Sequence, residues 1–483
     1  MMVFGCVTLR NPQPETEFRG VWVATVVNID WPRNGNDSAD KQKADFLQLL
    51  DFYQNLHFNA LIVQVRTAGD ALYDSEMAPW SRFLTGIEGM PKEGFERPLQ
   101  WMIDQTHKRG MQFHAWLNPY RATFDLDTTI LAKNHDFYQH RDWMVKYGKK
   151  YYYNPGEPKV WQHLSDVVEE VVVNYDIDGI HFDDYFYPYK ISGETFNDSL
   201  AYSNHKLPDQ TIGDWRRANA DSLVHSVHKT VKSTKPWVQF GISPFGVWKN
   251  KATDPKGSDT KAGQTTYEDL YADPLVWIKN DWLDNIVPQA YWSMEFPAAS
   301  HSKIVEWWAH KNGSTTLFMG NGAYKIRNNA DRAWDKKREL PKQLKLARST
   351  PRVSGNIFFS AKSLPQHEDI VKKIKRNFYK GPIRTPSLAK IAKRTLESPV
   401  LVSRKDMNGF AEICLSHYDS VPRYILAHEL RGKKRQSGKL VKKVYLPSND
   451  SNTCFQLWSK TKNLGFTVRD AFGNESEMKK TTN

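Results

Sequence analysis

Val27-Asn28-Ile29-Asp30-Trp31-Pro32 follows the first strand-like run of this chain, Arg19 to Val26, and contains no glycine. An open, doubly wound α/β sheet normally places a glycine-rich phosphate turn there. Seven further strand-like runs follow: Asn59 to Arg66, Gln112 to Leu117, Gly179 to Asp184, Val238 to Ser243, Ile286 to Tyr291, Thr316 to Met319 and Gly355 to Ser360. Helical patterns separate most of them, at Ala39 to Leu56, Pro98 to Arg109, Trp161 to Tyr175, Asp214 to Lys235, Ser302 to Asn312, Asp331 to Ser349 and Leu364 to Tyr379. Between the fifth and sixth runs only Pro274 to Asn280 reads as helix. Alternation without the phosphate turn predicts a (β/α)8 TIM barrel with enlarged loops over residues 17–380.

Near residue 381 the character changes. Residues 381–385 read as a linker, and short turn-separated runs follow from Pro399 to Val402 through Gly465 to Asp470. They predict a C-terminal β-sandwich over residues 386–483. Residues 1–16 form an N-terminal tail. The net charge of +13 is uneven. Residues 381–483 carry 19 Lys and Arg against 9 Asp and Glu. Arg431, Lys433, Lys434, Arg435, Lys439, Lys442 and Lys443 cluster there, a patch suited to an anionic cell-surface polymer or to a solvated hairpin. No nucleic-acid-binding signature accompanies it.

No run of eighteen apolar residues is present, so no transmembrane helix is expected. Val3-Phe4-Gly5-Cys6 resembles the end of a bacterial lipoprotein signal, which makes Cys6 a candidate lipid anchor and the only expected link to a membrane. Cys414 and Cys454 are expected as two free buried thiols, with a disulfide as the alternative.

The fourth run carries the chemistry. In Asp178-Gly179-Ile180-His181-Phe182-Asp183-Asp184-Tyr185-Phe186-Tyr187-Pro188, alternation turns Ile180 and Phe182 toward helices and His181 and Asp183 inward, with Asp184 just past the strand. Paired carboxylates in a cleft serve acid/base cleavage of a glycosidic bond. Other strand ends add Arg66, His114, Trp116, Asn118, Ser243, Trp248, Gln289, Tyr291 and Trp292, with Glu295 in the next loop. Buried polar groups are costly unless they serve a ligand or each other. A Gly-x-Ser-x-Gly elbow, a His-Glu-x-x-His pair and a Cys-x-x-Cys pair are all missing, so no metal or cofactor is expected.

Several stretches resemble the glycosyl-hydrolase-like 10 family, also called DUF187 or YngK-like. They are Phe18 to Val26 with Asp30-Trp31-Pro32, Gln64-Val65-Arg66 with Gly69 to Tyr73, Ala115 to Arg121, Asp178 to Pro188, Gly241 to Trp248, and Pro288 to Trp292. Phe466 to Asp470 and Asn474 to Ser476 resemble a fibronectin-III-like module. The resemblance implies an exported, often lipid-anchored bacterial glycoside hydrolase, periplasmic or at the cell surface, acting on an oligo- or polysaccharide. Peptidoglycan glycan strands are favoured. It also implies Asp183, Asp184 and Glu295 as catalytic residues and adds Asp70, Arg121 and Tyr185 to the substrate-binding set. Many relatives carry an acid directly after the Tyr-Trp pair, where this chain has Ser293. Chitinase-type enzymes place a Glu where this chain has Tyr185. A wall-glycan-binding protein without catalysis is the alternative reading.

Overall fold

A computed structural model describes residues 13–387, 394–417, 422–431, 437–446, 452–458 and 463–480. Eight parallel strands close a barrel in chain order. They are β1 (Phe18–Val23), β2 (Ala60–Arg66), β3 (Gln112–Leu117), β4 (Gly179–Phe182), β5 (Gln239–Ile242), β6 (Asn285–Ile286), β7 (Thr316–Asn321) and β8 (Val353–Phe358). β4 stops at Phe182, so both Asp183 and Asp184 lie past the strand, where Asp183 was expected on it. The fifth-to-sixth link holds two short helices, Thr266–Asp269 and Pro274–Lys279.

The helices form for local reasons. Ser38 caps Ala39–Asn55 by accepting from Lys41 N at 3.3 Å, and Ala39, Gln42, Phe46, Leu50 and Tyr53 recur on its buried face. Proline opens Pro98–Lys108 at its first turn, and Gly110, at φ +70°, follows its end. The outer core lies between strands and helices and includes Val63, Phe113, Ile180 and Phe240. A second core fills the barrel itself with Phe18, Trp22, Ile62, Trp116, Phe318 and Ile357. Gly179 is required at β4, because a Cβ there would sit 2.4 Å from His114 Nδ1.

Two antiparallel sheets form the C-terminal β-sandwich. One holds Val400–Met407, Phe410–Ser416 and Asn452–Trp458, and the other Ser437–Tyr445, Pro422–Arg431, Leu464–Asp470 and Lys479–Lys480. Ile413, Leu415, Ile425, Phe455, Phe466 and Val468 are buried between them. Cys414 and Cys454 are direct cross-strand partners and form a disulfide. This corrects the expectation of free buried thiols: their strands pair in register, and Cys454 is exposed rather than buried. Cys6 and the patch residues Lys433, Lys434 and Arg435 lie outside the described residues. Lys443 turns inward instead, its Nζ 3.6 Å from the centre of the Tyr424 ring. Burial lowers it to about 7.

The sandwich docks at the end of the barrel opposite the strand C-termini. Asp178, immediately before β4, accepts from His107 Nε2 and Phe113 N at 2.8 Å each. Its other oxygen accepts from Arg423 Nη2 at 3.1 Å and Tyr424 OH at 3.4 Å, both from the sandwich. Asp176 accepts from Arg423 and from Tyr445 OH, and Tyr445 stacks on His107 at 4.2 Å. Burial would raise Asp178, but Arg423 and His107 outweigh it and hold the carboxyl well below its ordinary 3.8. Because its folded value is depressed, the Asp178 contribution to stability is present above about pH 3.8 and is lost as the pH falls below that value.

Arg423→Met leaves Asp178 buried without its main partner. It should cost about 3–5 kcal/mol, the usual penalty for breaking a buried pair from one side. Thermal unfolding with and without Asp178→Asn checks this: the double variant should recover part of the loss, and a loss below about 1 kcal/mol would contradict the clamp.

Candidate active site

The C-terminal ends of the barrel strands form the mouth, where chemistry in such barrels sits. Asp183 Oδ1 accepts from Asp184 N at 2.9 Å and from Gln289 Nε2 at 3.1 Å. The same Gln289 nitrogen donates to Ser243 O at 2.9 Å. Asp184 is 2% exposed and accepts from Tyr189 OH. Burial raises Asp183, while hydrogen bonds from Asp184, the Arg121 charge and Gln289 restrain that rise. Burial, and then the charge of Asp183, push Asp184 well above the ordinary carboxylate range. Of the two, Asp184 is pushed further toward its protonated form, because burial and the neighbouring Asp183 charge act on it together.

Beneath the pair, Trp22 Nε1 donates to His181 Nε2 at 3.2 Å, and that nitrogen lies 3.0 Å from Ser243 Oγ. Burial, then the neighbouring His114, lowers His181 to about 3. It is a neutral acceptor that joins Trp22 to Ser243, not a titrating base. Around the pair stands a chain of aromatic rings. Tyr185 meets Tyr189 at 5.2 Å, Tyr189 meets Phe245 at 6.4 Å, and Phe245 meets Trp292 at 5.5 Å. On the other side Tyr291 stacks on Phe359 at 5.9 Å and meets Tyr324 at the same distance. The Arg121 guanidinium lies 5.1 Å from the centre of the Tyr185 ring, and its Nη1 donates to Thr67 O. Asn118 donates to the same carbonyl and accepts from Trp116 Nε1 at 3.1 Å.

Other residues expected to bind substrate make contacts within the protein. His114 is deep in the barrel, edge-on to Phe18 at 5.6 Å, and burial holds it down to about 4. A register shift after Gln64 breaks the alternation of β2, and Arg66 is buried against Tyr153, 3.2 Å away, near Asp136. Asp70 accepts from Thr67 N, Thr67 Oγ1 and Ala68 N and so closes the turn after β2. Trp248 donates to Asp273 at 2.9 Å and stacks on Trp307, away from the pair. Glu295 is exposed and, among the described residues, makes no hydrogen bond or ion pair with Asp183 or Asp184. Sequence reasoning passed over Tyr189, Trp22, Phe245, Tyr324 and Phe359. Tyr189 was within reach, because the aromatic run after Asp184 continues one residue past Pro188.

A closed (β/α)8 barrel with a carboxylate pair and aromatic walls at its mouth is an arrangement suited to a glycoside hydrolase. The chain belongs to the glycosyl hydrolase-like 10 family, whose pattern matches residues 17–336. It is 42% identical over 407 residues to Glycosyl hydrolase YngK of Bacillus subtilis (strain 168), spanning 83% of this chain and 79% of that protein. It is 38% identical over 375 residues to Glycosyl hydrolase DigH of Escherichia coli (strain K12), spanning 73% of this chain and 84% of that one. Among solved structures, the PgaB (BpsB) glycoside hydrolase domain from Bordetella bronchiseptica aligns with a TM-score of 0.48 at 14% identity, covering 74% of this chain and 98% of that domain.

Tyr189→Phe removes the hydroxyl that lowers Asp184, so Asp184 should hold its proton to higher pH. In a pH–rate profile the alkaline limb of the variant should move upward. A limb that stays in place, or moves down, would separate Tyr189 from the titration of the pair.

Proposed function

We propose that the enzyme hydrolyses O-glycosidic bonds in a bacterial cell-wall or related polysaccharide, with peptidoglycan glycan strands as the favoured substrate. The observation that carries this reading is the carboxylate pair after β4, one member half-buried at the mouth, the other buried with its carboxyl pushed well above the ordinary range. In this mechanism Asp183 bears the negative charge that faces the sugar, as nucleophile or as stabiliser of an oxocarbenium-like transition state. Asp184 supplies the proton to the departing glycosidic oxygen, and its raised pKa suits a donor at neutral pH. Arg121 and Gln289 favour the ionised form of Asp183 and oppose the effect of its burial. The aromatic rings offer faces for sugar rings to pack on. A wall-glycan-binding protein without catalysis would have no use for this buried pair, whose desolvation is costly.

The disulfide between Cys414 and Cys454 supports export, because such bonds persist in oxidising compartments. A lipid anchor at Cys6 would hold the enzyme at the membrane. The basic C-terminal segment would hold it near an anionic wall polymer.

Asp183→Asn should lower kcat on purified glycan strands by at least about a hundredfold with the fold intact. Near-wild-type turnover would remove Asp183 from the chemistry. In the pH–rate profiles, Asp184→Asn should abolish the alkaline limb and Glu295→Gln should keep it. The reverse pattern would make Glu295 the donor.

Retention on isolated cell-wall material should weaken as salt shortens the Debye length from about 8 Å to about 3 Å. It should also fall when Lys433, Lys434 and Arg435 are neutralised. Salt-independent retention would contradict an electrostatic tether.

A further inference from the structure

β8 stands opposite β4 across the barrel, so the loops after β7, β8 and β1 face the carboxylate pair from the far side of the mouth. Those loops enclose a cleft of about 460 Å³, within the range of about 300–1,000 Å³ typical of ligand sites. Its walls include Ile29, Tyr324, Asn328, Phe359, Lys362 and Gln366. A second cleft of about 450 Å³ shares Ile29, Lys362 and Gln366 and continues past Arg33 to Gln48 on the first helix. Together they make a path from the mouth over the rim to the flank.

One residue stands between this path and the pair. Tyr291 feels the charge of Asp183 on one side and stacks on Phe359 on the other. Phe359 and Tyr324 meet edge to face at 5.7 Å, and Tyr324 keeps 39% of its surface exposed. An exposed ring beside amide and ammonium side chains suits a sugar, which packs its C–H face on an aromatic and hydrogen-bonds through its hydroxyls.

The cleft is also held open by a fixed device. Asp30 Oδ2 accepts from Ala24 N at 2.8 Å, and its Oδ1 accepts from Ser360 Oγ at 2.7 Å and Lys362 N at 2.9 Å. The loop after β1 is thereby tied to the loop after β8, and the two walls are set before any ligand arrives. Such preorganisation lowers the ordering cost of binding.

We propose that this cleft binds the part of a polysaccharide chain that extends beyond the cleaved bond, with Tyr324 as its sugar platform. The enzyme then recognises a polymer and not a terminal sugar alone. This inference rests on the glycosidase reading above.

The experiment compares wild type with Tyr324→Ala, and separately with Asn328→Ala. The probes are peptide-free bacterial glycan strands and a short aryl glycoside of the same sugar. Loss of the platform should raise KM for the strands about tenfold more than for the short glycoside, the scale of one aromatic contact. No change for Tyr324→Ala, or an equal change on both probes, overturns the proposal. The same strands are titrated against the Asp183→Asn background by calorimetry. If wild type hydrolyses neither probe, the glycosidase reading fails, and the cleft is judged from Kd alone. A Kd for strands weakened by Tyr324→Ala then supports the cleft, and an unchanged Kd overturns it.

Discussion

Two neighbouring carboxylates at a desolvated site oppose each other's ionisation, and the mouth of this barrel is built around that constraint. Two unit charges about 4 Å apart repel by about 4 kcal/mol at an effective dielectric near 20. One hydrogen bond returns about 1 kcal/mol, so neither Gln289 nor Tyr189 alone offsets the repulsion. A proton on one member would. Arg121, Gln289 and the Asp184 N–H favour charge on Asp183, while burial and Asp183 itself push Asp184 upward. The asymmetry that acid/base hydrolysis needs arises from position on one loop, without two separate environments.

The same short segment carries a second charge, managed in the opposite way. Asp178, before β4, is ionised and clamped by His107 and Arg423. Asp183 and Asp184 follow the strand's other end. β4 is only four residues long, so its placement depends on its neighbours and on what holds its ends. The sandwich grips the entry end through Arg423, Tyr424 and Tyr445. We read the C-terminal domain as a brace for the strand that presents the carboxylates, in addition to any role at a surface. That gives Lys443 a place at the interface, where composition alone grouped it with a solvated basic patch.

The barrel was legible because the strand and helix periods alternate cleanly, and because Val27 to Pro32 leaves no room for a phosphate turn. The carboxylate pair was legible because Asp183 and Asp184 end an apolar strand and precede aromatics. Depth along a strand was not legible. His114 faces inward as alternation predicts, yet it sits a full layer below His181, against Phe18. The surroundings of Arg66 were not legible because a register shift in β2 breaks the period of two on which the reading rested. The wall formed by Tyr324 and Phe359 was invisible for another reason: it joins loops after β7 and β8, and no local pattern reports which loops meet. The pairing of Cys414 with Cys454 likewise depends on strand register, which separations in sequence do not supply.

The most direct test of whether Asp184 carries a proton is infrared difference spectroscopy of the resting enzyme at neutral pH, comparing wild type with Asp184→Asn and with Glu295→Gln. The account predicts a protonated carboxyl C=O band in wild type that disappears in Asp184→Asn and persists in Glu295→Gln. A band unaffected by Asp184→Asn, or lost in Glu295→Gln, would contradict it.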